Sequence, residues 1–254
     1  MSKLNKAIFI TVRTASTRLP NKALIKIKNK TTIEYLIHRA KKSKLADKII
    51  LCTTEGPEDD ILCEIAERNG ILFFRGSAPD KLERWRGACN KFDIDFFVTA
   101  DGDDLFYESE LMDLAFNQYD KSGHQIDFLK SDDVICGAFT YGIKTEALDK
   151  ACEMKDTDDT EMMWVYFTET GLFNVRELSN IPEIYLRDDI RMTLDYEDDL
   201  KFFTNIIEYF DDDKFTLRNI VKYLDNNDEV KYINYYLHER WSNNQKNKIK
   251  LALK

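Results

Sequence analysis

Short apolar runs alternate with stretches of helical periodicity over the first half of the chain. Residues 7–12 form an apolar run suited to a buried strand. A polar loop follows, and residues 31–43 then carry Ile33, Leu36, Ile37 and Ala40 at helical spacing, with Thr31 and Glu34 placed as a capping box. Residues 48–53 read as the next strand. Pro57 opens a second helix with Ile61, Leu62, Ile65 and Ala66 on one face, Gly70 closes it, and residues 71–74 read as a third strand. Asp80 is placed to cap a helix reaching about residue 91, residues 95–99 are a strongly apolar strand, and residues 109–122 are helical with Gly123 as the stop. This order predicts a mostly parallel α/β sheet of the Rossmann-like kind with helices on both faces, whose ligands gather beyond the carboxyl ends of the strands.

Beyond residue 127 the rhythm changes. Extended pieces at 128–130 and 138–144 precede helices expected at 146–154 and 160–170, and further extended pieces follow at 174–178 and 190–194. Residues 127–186 are expected to form a smaller lobe that receives an acceptor or a second subunit, within one domain spanning 1–254. From Glu197 the chain reads as helices with polar joints, and the lysine-rich stretch 243–254 reads as a solvated end.

Composition narrows the chemistry. A hydrophobic share of 43% over 254 residues suits an ordinary buried core. The formal charge of -9 argues against nucleic acid as a partner and requires a local basic patch for any polyphosphate. No run approaches the ~20 apolar residues of a membrane helix, so the expected location is cytoplasmic and no membrane contact is expected. Five scattered cysteines without a C-x-x-C pair read as reduced thiols, and three isolated histidines offer neither a zinc site nor a triad.

Two constellations remain. The loop after the first strand holds Arg13, Ser16, Thr17, Arg18 and Lys22 within ten residues and contains no glycine. Three cations and two hydroxyls suit a triphosphate, each oxygen of which needs a donor. A solvated basic loop is the plainer reading, but the position at a strand's carboxyl end favours binding. The second constellation is Asp101-Gly102-Asp103-Asp104, directly after an apolar strand. Clustered carboxylates repel one another unless a cation shares the space, which points to Mg2+; an exposed acidic turn is the alternative. Asp195, at a later junction of extended chain and helix, is a candidate second metal ligand, while Glu197 to Asp199 suit a helix's first turn. Arg75 and Ser77 leave a strand on the same side of the sheet and are candidates to line base or ribose.

These stretches resemble the bacterial cytidylyltransferases that activate acidic sugars, and most of all their spore-coat polysaccharide branch. The pattern R-x-x-S-T-R-L-P-x-K stands here as Arg13, Ser16, Thr17, Arg18, Leu19, Pro20 and Lys22; residues 74–85, Gly102-Asp103 and 191–200 carry the supporting motifs. The resemblance implies CTP as co-substrate, an acidic small-molecule acceptor, Mg2+ on Asp103 and Asp195, catalytic roles for Arg13, Arg18, Lys22 and Asp103, and a homodimer. Two departures stand out. Asp104-Leu105 replaces a residue-plus-proline, and Asp101 adds a carboxylate, leaving either Asp101 or Asp103 as ligand; Asn21 replaces a frequent glycine. The rival class is a metal-dependent glycosyltransferase using Asp101-Gly102-Asp103 as a D-x-D motif.

Overall fold

Seven strands make one sheet in the computed structural model, which describes residues 3–210 and 214–254. In chain order the elements begin with β1 (Lys6–Thr11), the short antiparallel pair β2 (Lys26–Ile27) and β3 (Lys30–Thr31), and α1 (Thr32–Ala40). β4 (Lys48–Thr54), α2 (Asp60–Arg68), β5 (Leu72–Gly76), α3 (Lys81–Phe92), β6 (Phe96–Asp101) and α4 (Ser109–Lys121) continue the alternation. Then come β7 (Phe128–Lys130), β8 (Tyr141–Lys144), α5 (Thr145–Met154), α6 (Val165–Thr168) and β9 (Val175–Glu177). Four helices close the chain: α7 (Glu197–Phe210), α8 (Leu217–Leu224), α9 (Asp228–Lys231) and α10 (His238–Lys246).

The sheet order is β5-β4-β1-β6-β8-β7-β9, with β8 antiparallel to both neighbours and every other pairing parallel. Both faces are covered because side chains alternate along buried strands. Ile8 and Ile10 of β1, with Phe96, Val98 and Ala100 of β6, join a core under α1, α2, α4, α7 and α8. Ala7, Phe9 and Phe97 point the other way, into a core under α3, α5 and α6. Phe9 and Phe97 stack there with ring centroids 4.3 Å apart, and burying each such side chain contributes roughly 1.5–3 kcal/mol.

Local signals set several element ends as expected. Thr31 and Glu34 form the capping box of α1, the Asp80 carboxylate accepts from the Glu83 N–H at the start of α3, and Gly70 and Gly123 take positive φ just past α2 and α4. Three expectations fail. The helix expected at 160–170 shrinks to α6. Residues 190–194 form no strand: Met192 N–H donates to Cys136 O and Leu194 N–H to Asp103 O, so the segment is shared between two loops rather than laddered against one. The stretch 243–254 is no free end. It continues α10 and docks beyond α5, with Asp156 N–H on Ala252 O and Lys254 N–H on Met154 O, while Lys248 and Lys250 pair with Glu161 and Asp159. β7, β8 and β9, from the stretch expected as an acceptor lobe, extend the main sheet.

Candidate active site

The basic loop leaves the carboxyl end of β1 and is pinned at its start by one buried carboxylate. Asp59 Oδ1 accepts from the Thr14 N–H and hydroxyl at 2.8 and 2.7 Å, while Oδ2 accepts from Thr53, at 2.8 Å, and from Thr54 on β4. Burial would raise the Asp59 pKa, but the hydrogen bonds from Thr54, Thr14 and Thr53 outweigh it and hold the carboxyl below its ordinary value. The loop's far end turns through Asn21 at φ 53°, a left-handed conformation that asparagine tolerates better than most residues, so its standing in for glycine leaves the turn intact. From there Lys22 enters a short 3-10 turn, and Thr32 Oγ1 donates to its carbonyl at 2.5 Å.

Across the cleft, the carboxyl end of β6 supplies the acidic turn. Gly102 is required there by proximity: a Cβ would sit 2.6 Å from Val12 Cβ, so only glycine lets the acidic turn lie against the base of the basic loop. Lys22 Nζ bridges Asp103 Oδ2, at 2.6 Å, and Asp195 Oδ1, at 2.7 Å, and Arg18 Nη2 also reaches Asp195 Oδ1 at 2.7 Å. Burial would lower the Lys22 pKa, yet Asp103 and Asp195 outweigh it and raise the value to about 12. Burial likewise works against ionising Asp103, and Lys22 overcomes it, keeping that carboxyl below the usual range. Asp104 behaves oppositely: burial first, then Asp103 and Asp101, push its carboxyl well up.

The backbone under Asp195 is fixed from behind. Asp199 Oδ2 accepts from the Asp195 and Tyr196 N–H groups at 2.8 and 2.9 Å; its Oδ1 accepts from Arg191 Nε at 3.0 Å and from Asn234 Nδ2 at 2.8 Å. Arg191, Asp195, Asp199 and Asn234 are all fully buried. Asp195 Oδ2 has no hydrogen-bond donor, although Arg191 Nη2 lies 3.8 Å away. Among the described residues no group of three or more His, Cys, Asp or Glu side chains is placed to hold a metal. The chemistry of the donor set nonetheless suits a hard divalent ion: two carboxylates converge on one cation, one of their oxygens is buried without a donor, and magnesium commonly takes only one or two protein carboxylates.

The basic loop and the acidic turn line an open cleft of about 1530 Å³, well beyond the roughly 300–1,000 Å³ of a pocket for one small ligand. Arg13, Ser16, Thr17, Arg18, Lys22, Asp101 and Asp103 are all on its wall. Arg13 is exposed, its guanidinium 3.5 Å from Glu161, and the Ser16 and Thr17 hydroxyls bond to no other described residue. Three expected residues are not on that wall: Asp195 is fully buried behind Arg18 and Lys22, and Arg75 and Ser77 point elsewhere. Arg75 Nε and Nη2 donate to Thr54 O, at 3.0 Å, and Gly56 O, at 2.6 Å, and Nη1 pairs with Asp60. Ser77 Oγ accepts from the Asp80 N–H at 3.1 Å, tightening the turn into α3. Neither lines the cleft.

Asp101 and Asp103 have different partners: Asp101 Oδ1 pairs with Lys81 Nζ at 2.9 Å, while Asp103 holds Lys22. Lys81 escaped the sequence reading; its only signal is its place in the first turn of a helix that leaves a strand's carboxyl end. Asn234 and the lining residues of α10 carry no sequence signal at all.

A mostly parallel α/β sheet with a basic loop and carboxylates meeting above its strand ends defines a nucleotidyltransferase fold. Comparison with known proteins makes the assignment specific. The chain belongs to the cytidylyltransferase family, CTP-dependent nucleotidyltransferases whose model matches residues 7–191. It is 34% identical over 227 residues to an uncharacterized protein of Methanocaldococcus jannaschii, covering 89% of this chain and 92% of that one. It is 24% identical over 202 residues to the spore coat polysaccharide biosynthesis protein SpsF of Bacillus subtilis, covering 77% and 84%. The solved structure of a cytidylyltransferase from Leptospira borgpetersenii superposes with a TM-score of 0.83 at 26% identity, covering 90% of this chain and 97% of that chain. No helix among the described residues is long and apolar enough to cross a membrane.

Proposed function

We propose that the protein transfers CMP from CTP to an acidic small molecule, a carboxylated sugar, phosphate or phosphonate, and releases pyrophosphate. The observation that carries this reading is the meeting of Arg18 and Lys22 with Asp103 and Asp195 over a cleft roomy enough for two substrates. In it, Arg13, Arg18 and Lys22 neutralise the triphosphate, and the Ser16 and Thr17 hydroxyls supply further donors. Asp103 and Asp195 would hold Mg2+, which when bound supplies charge neutralisation at the attacked phosphate. An acceptor oxygen attacks the α-phosphorus in line, the bond to the bridging oxygen breaks, and the electron pair leaves on pyrophosphate. An acceptor that attacks through an oxygen already ionised needs little general-base help, in keeping with a cleft whose one histidine, His238, has its pKa lowered first by burial and then by nearby Arg191. The likeness to a protein named for spore coat polysaccharide biosynthesis favours a sugar among these acceptors.

The test is pyrophosphate release from each of the four nucleoside triphosphates, with magnesium, against a panel of acidic sugars, phosphates and phosphonates. CTP with one acceptor class is expected to give one pyrophosphate per turnover. Release of a nucleoside diphosphate from a sugar nucleotide, with none of pyrophosphate from CTP, would make the protein a glycosyltransferase.

A further inference from the structure

The wall of the cleft formed by α10 lies beyond residue 191, where the match to the family model stops. His238, Trp241, Ser242 and Gln245 recur on it at intervals of three and four, so one face of the helix looks into the cleft along its whole length, and Lys246 extends that face. The helix is held rigidly. Trp241 lies under the Arg191 guanidinium at 5.1 Å, Asn244 Nδ2 donates to the Tyr196 hydroxyl at 3.1 Å, and the chain after it is strapped to residues 154–161.

Against that rigid backing, the polar groups on the cleft-facing side are idle. Every other lysine and arginine on the cleft wall has a carboxylate or a carbonyl against it. Among the described residues the Lys246 ammonium has neither, the Ser242 hydroxyl makes no hydrogen bond, and Gln245 Oε1 is buried without a donor. A buried polar atom such as Gln245 Oε1 is matched by what fills the space beside it, and the exposed Lys246 ammonium, with no carboxylate against it, is open to an anion in the same space.

We infer that α10 is the acceptor subsite, with Lys246 taking the acceptor's anionic group and Ser242 and Gln245 its hydroxyls. The inference rests on the nucleotide placement proposed above, which gives the triphosphate to the basic loop and leaves this wall to the second substrate. Lys246 is therefore a determinant of acceptor choice that lies outside the residues matched by the family model.

The experiment loads the full-length protein with magnesium and α,β-methylene CTP, whose α–β bridge is not cleaved, and titrates inorganic phosphate calorimetrically as a minimal anionic probe. The loaded wild-type protein is expected to bind phosphate, and Lys246→Gln to bind it about tenfold or more weakly, since one charge-assisted contact is lost. Lys246→Arg, which keeps the charge, is expected to stay within about threefold of wild type, and both variants to hold the nucleotide analogue within about twofold. Equal phosphate affinity in Lys246→Gln and wild type overturns the inference, as does absence of phosphate binding to the loaded wild-type protein. Equal weakening of the nucleotide analogue and of phosphate in Lys246→Gln also overturns it, by assigning Lys246 to the nucleotide. If the analogue fails to bind wild type at all, the nucleotide placement itself falls, a result distinct from the other three.

Discussion

Replacing Lys22 by methionine keeps the aliphatic stem and removes the one cation that Asp103 and Asp195 share. Two carboxylates then face each other with only Asp195 still beside guanidinium groups, Arg18 at 2.7 Å and Arg191 at 3.8 Å. Removing one partner of a buried pair costs about 3–5 kcal/mol, because the charge left behind is neither solvated nor matched. Asp195 is fully buried, but the Asp103 side chain keeps 23% of its exposure and can draw on water, so the lower end, about 3 kcal/mol, is the expectation here. For a chain of this length that corresponds to a melting temperature roughly 6–12 °C lower in EDTA.

Magnesium should reverse much of this loss in Lys22→Met and do little for wild type without nucleotide, since in wild type the ammonium already fills the space between the carboxylates. The assay is differential scanning calorimetry at pH 7 with EDTA or millimolar magnesium, followed by steady-state pyrophosphate release. Turnover should fall by about ten- to a hundredfold, the worth of one charge-assisted contact to the triphosphate. A melting temperature within about 2 °C of wild type in EDTA, or equal magnesium responses in the two proteins, would show that the carboxylates are not held by Lys22 as the geometry describes.

Asp59→Asn should cost about 2–4 kcal/mol at pH 7, because an amide cannot accept from the donors of Thr14, Thr53 and Thr54 on both of its ends. The Asp59 carboxyl is depressed in the folded protein, so its contribution is present above the unfolded value near ~3.9 and is lost as pH falls through the folded value; urea titrations should show the gap between wild type and variant closing only in strong acid. A gap that closes near neutral pH would contradict this. Gly137→Ala places a Cβ 2.1 Å from Met192 O at a residue with φ 89°, and should cost about 3 kcal/mol or more while weakening CTP binding through the segment that carries Asp195. Thermal melting with and without CTP checks both effects, and an unchanged melting temperature would refute the close approach.

What the sequence disclosed follows the range over which its physics acts. Thr31 with Glu34, Asp80, Gly70 and Gly123 each act on neighbours within a turn, so the βαβαβ order and its ends could be read directly. Residues 190–194 have the same extended, apolar character but divide their backbone bonds between Cys136 and Asp103, partners that no local rule supplies. The charged centre was legible for a different reason. Lys22 and Asp103 are 81 positions apart, yet parallel strands bring their carboxyl ends to one edge, so a basic loop and an acidic turn leaving adjacent strands must meet.

Arg75 defeats the same reasoning, because knowing the end of a strand does not give the face. On β5, Phe74 packs into the core under α3, and period-two alternation therefore turns Arg75 toward the α2 side, where Thr54, Gly56 and Asp60 take up its guanidinium. The helix α10 lies further still beyond such rules. Its nine residues are almost wholly polar and none is buried, so nothing in their pattern distinguishes a solvated end from a wall of the cleft. Arg191 beneath Trp241 and Tyr196 against Asn244 make that distinction, through contacts that exist only once the sheet and α7 are assembled. Specificity placed on such a segment is therefore free to diverge: α10 can exchange Ser242, Gln245 and Lys246 without disturbing the core, whereas Lys22, Asp103 and Asp195 are bound to one another.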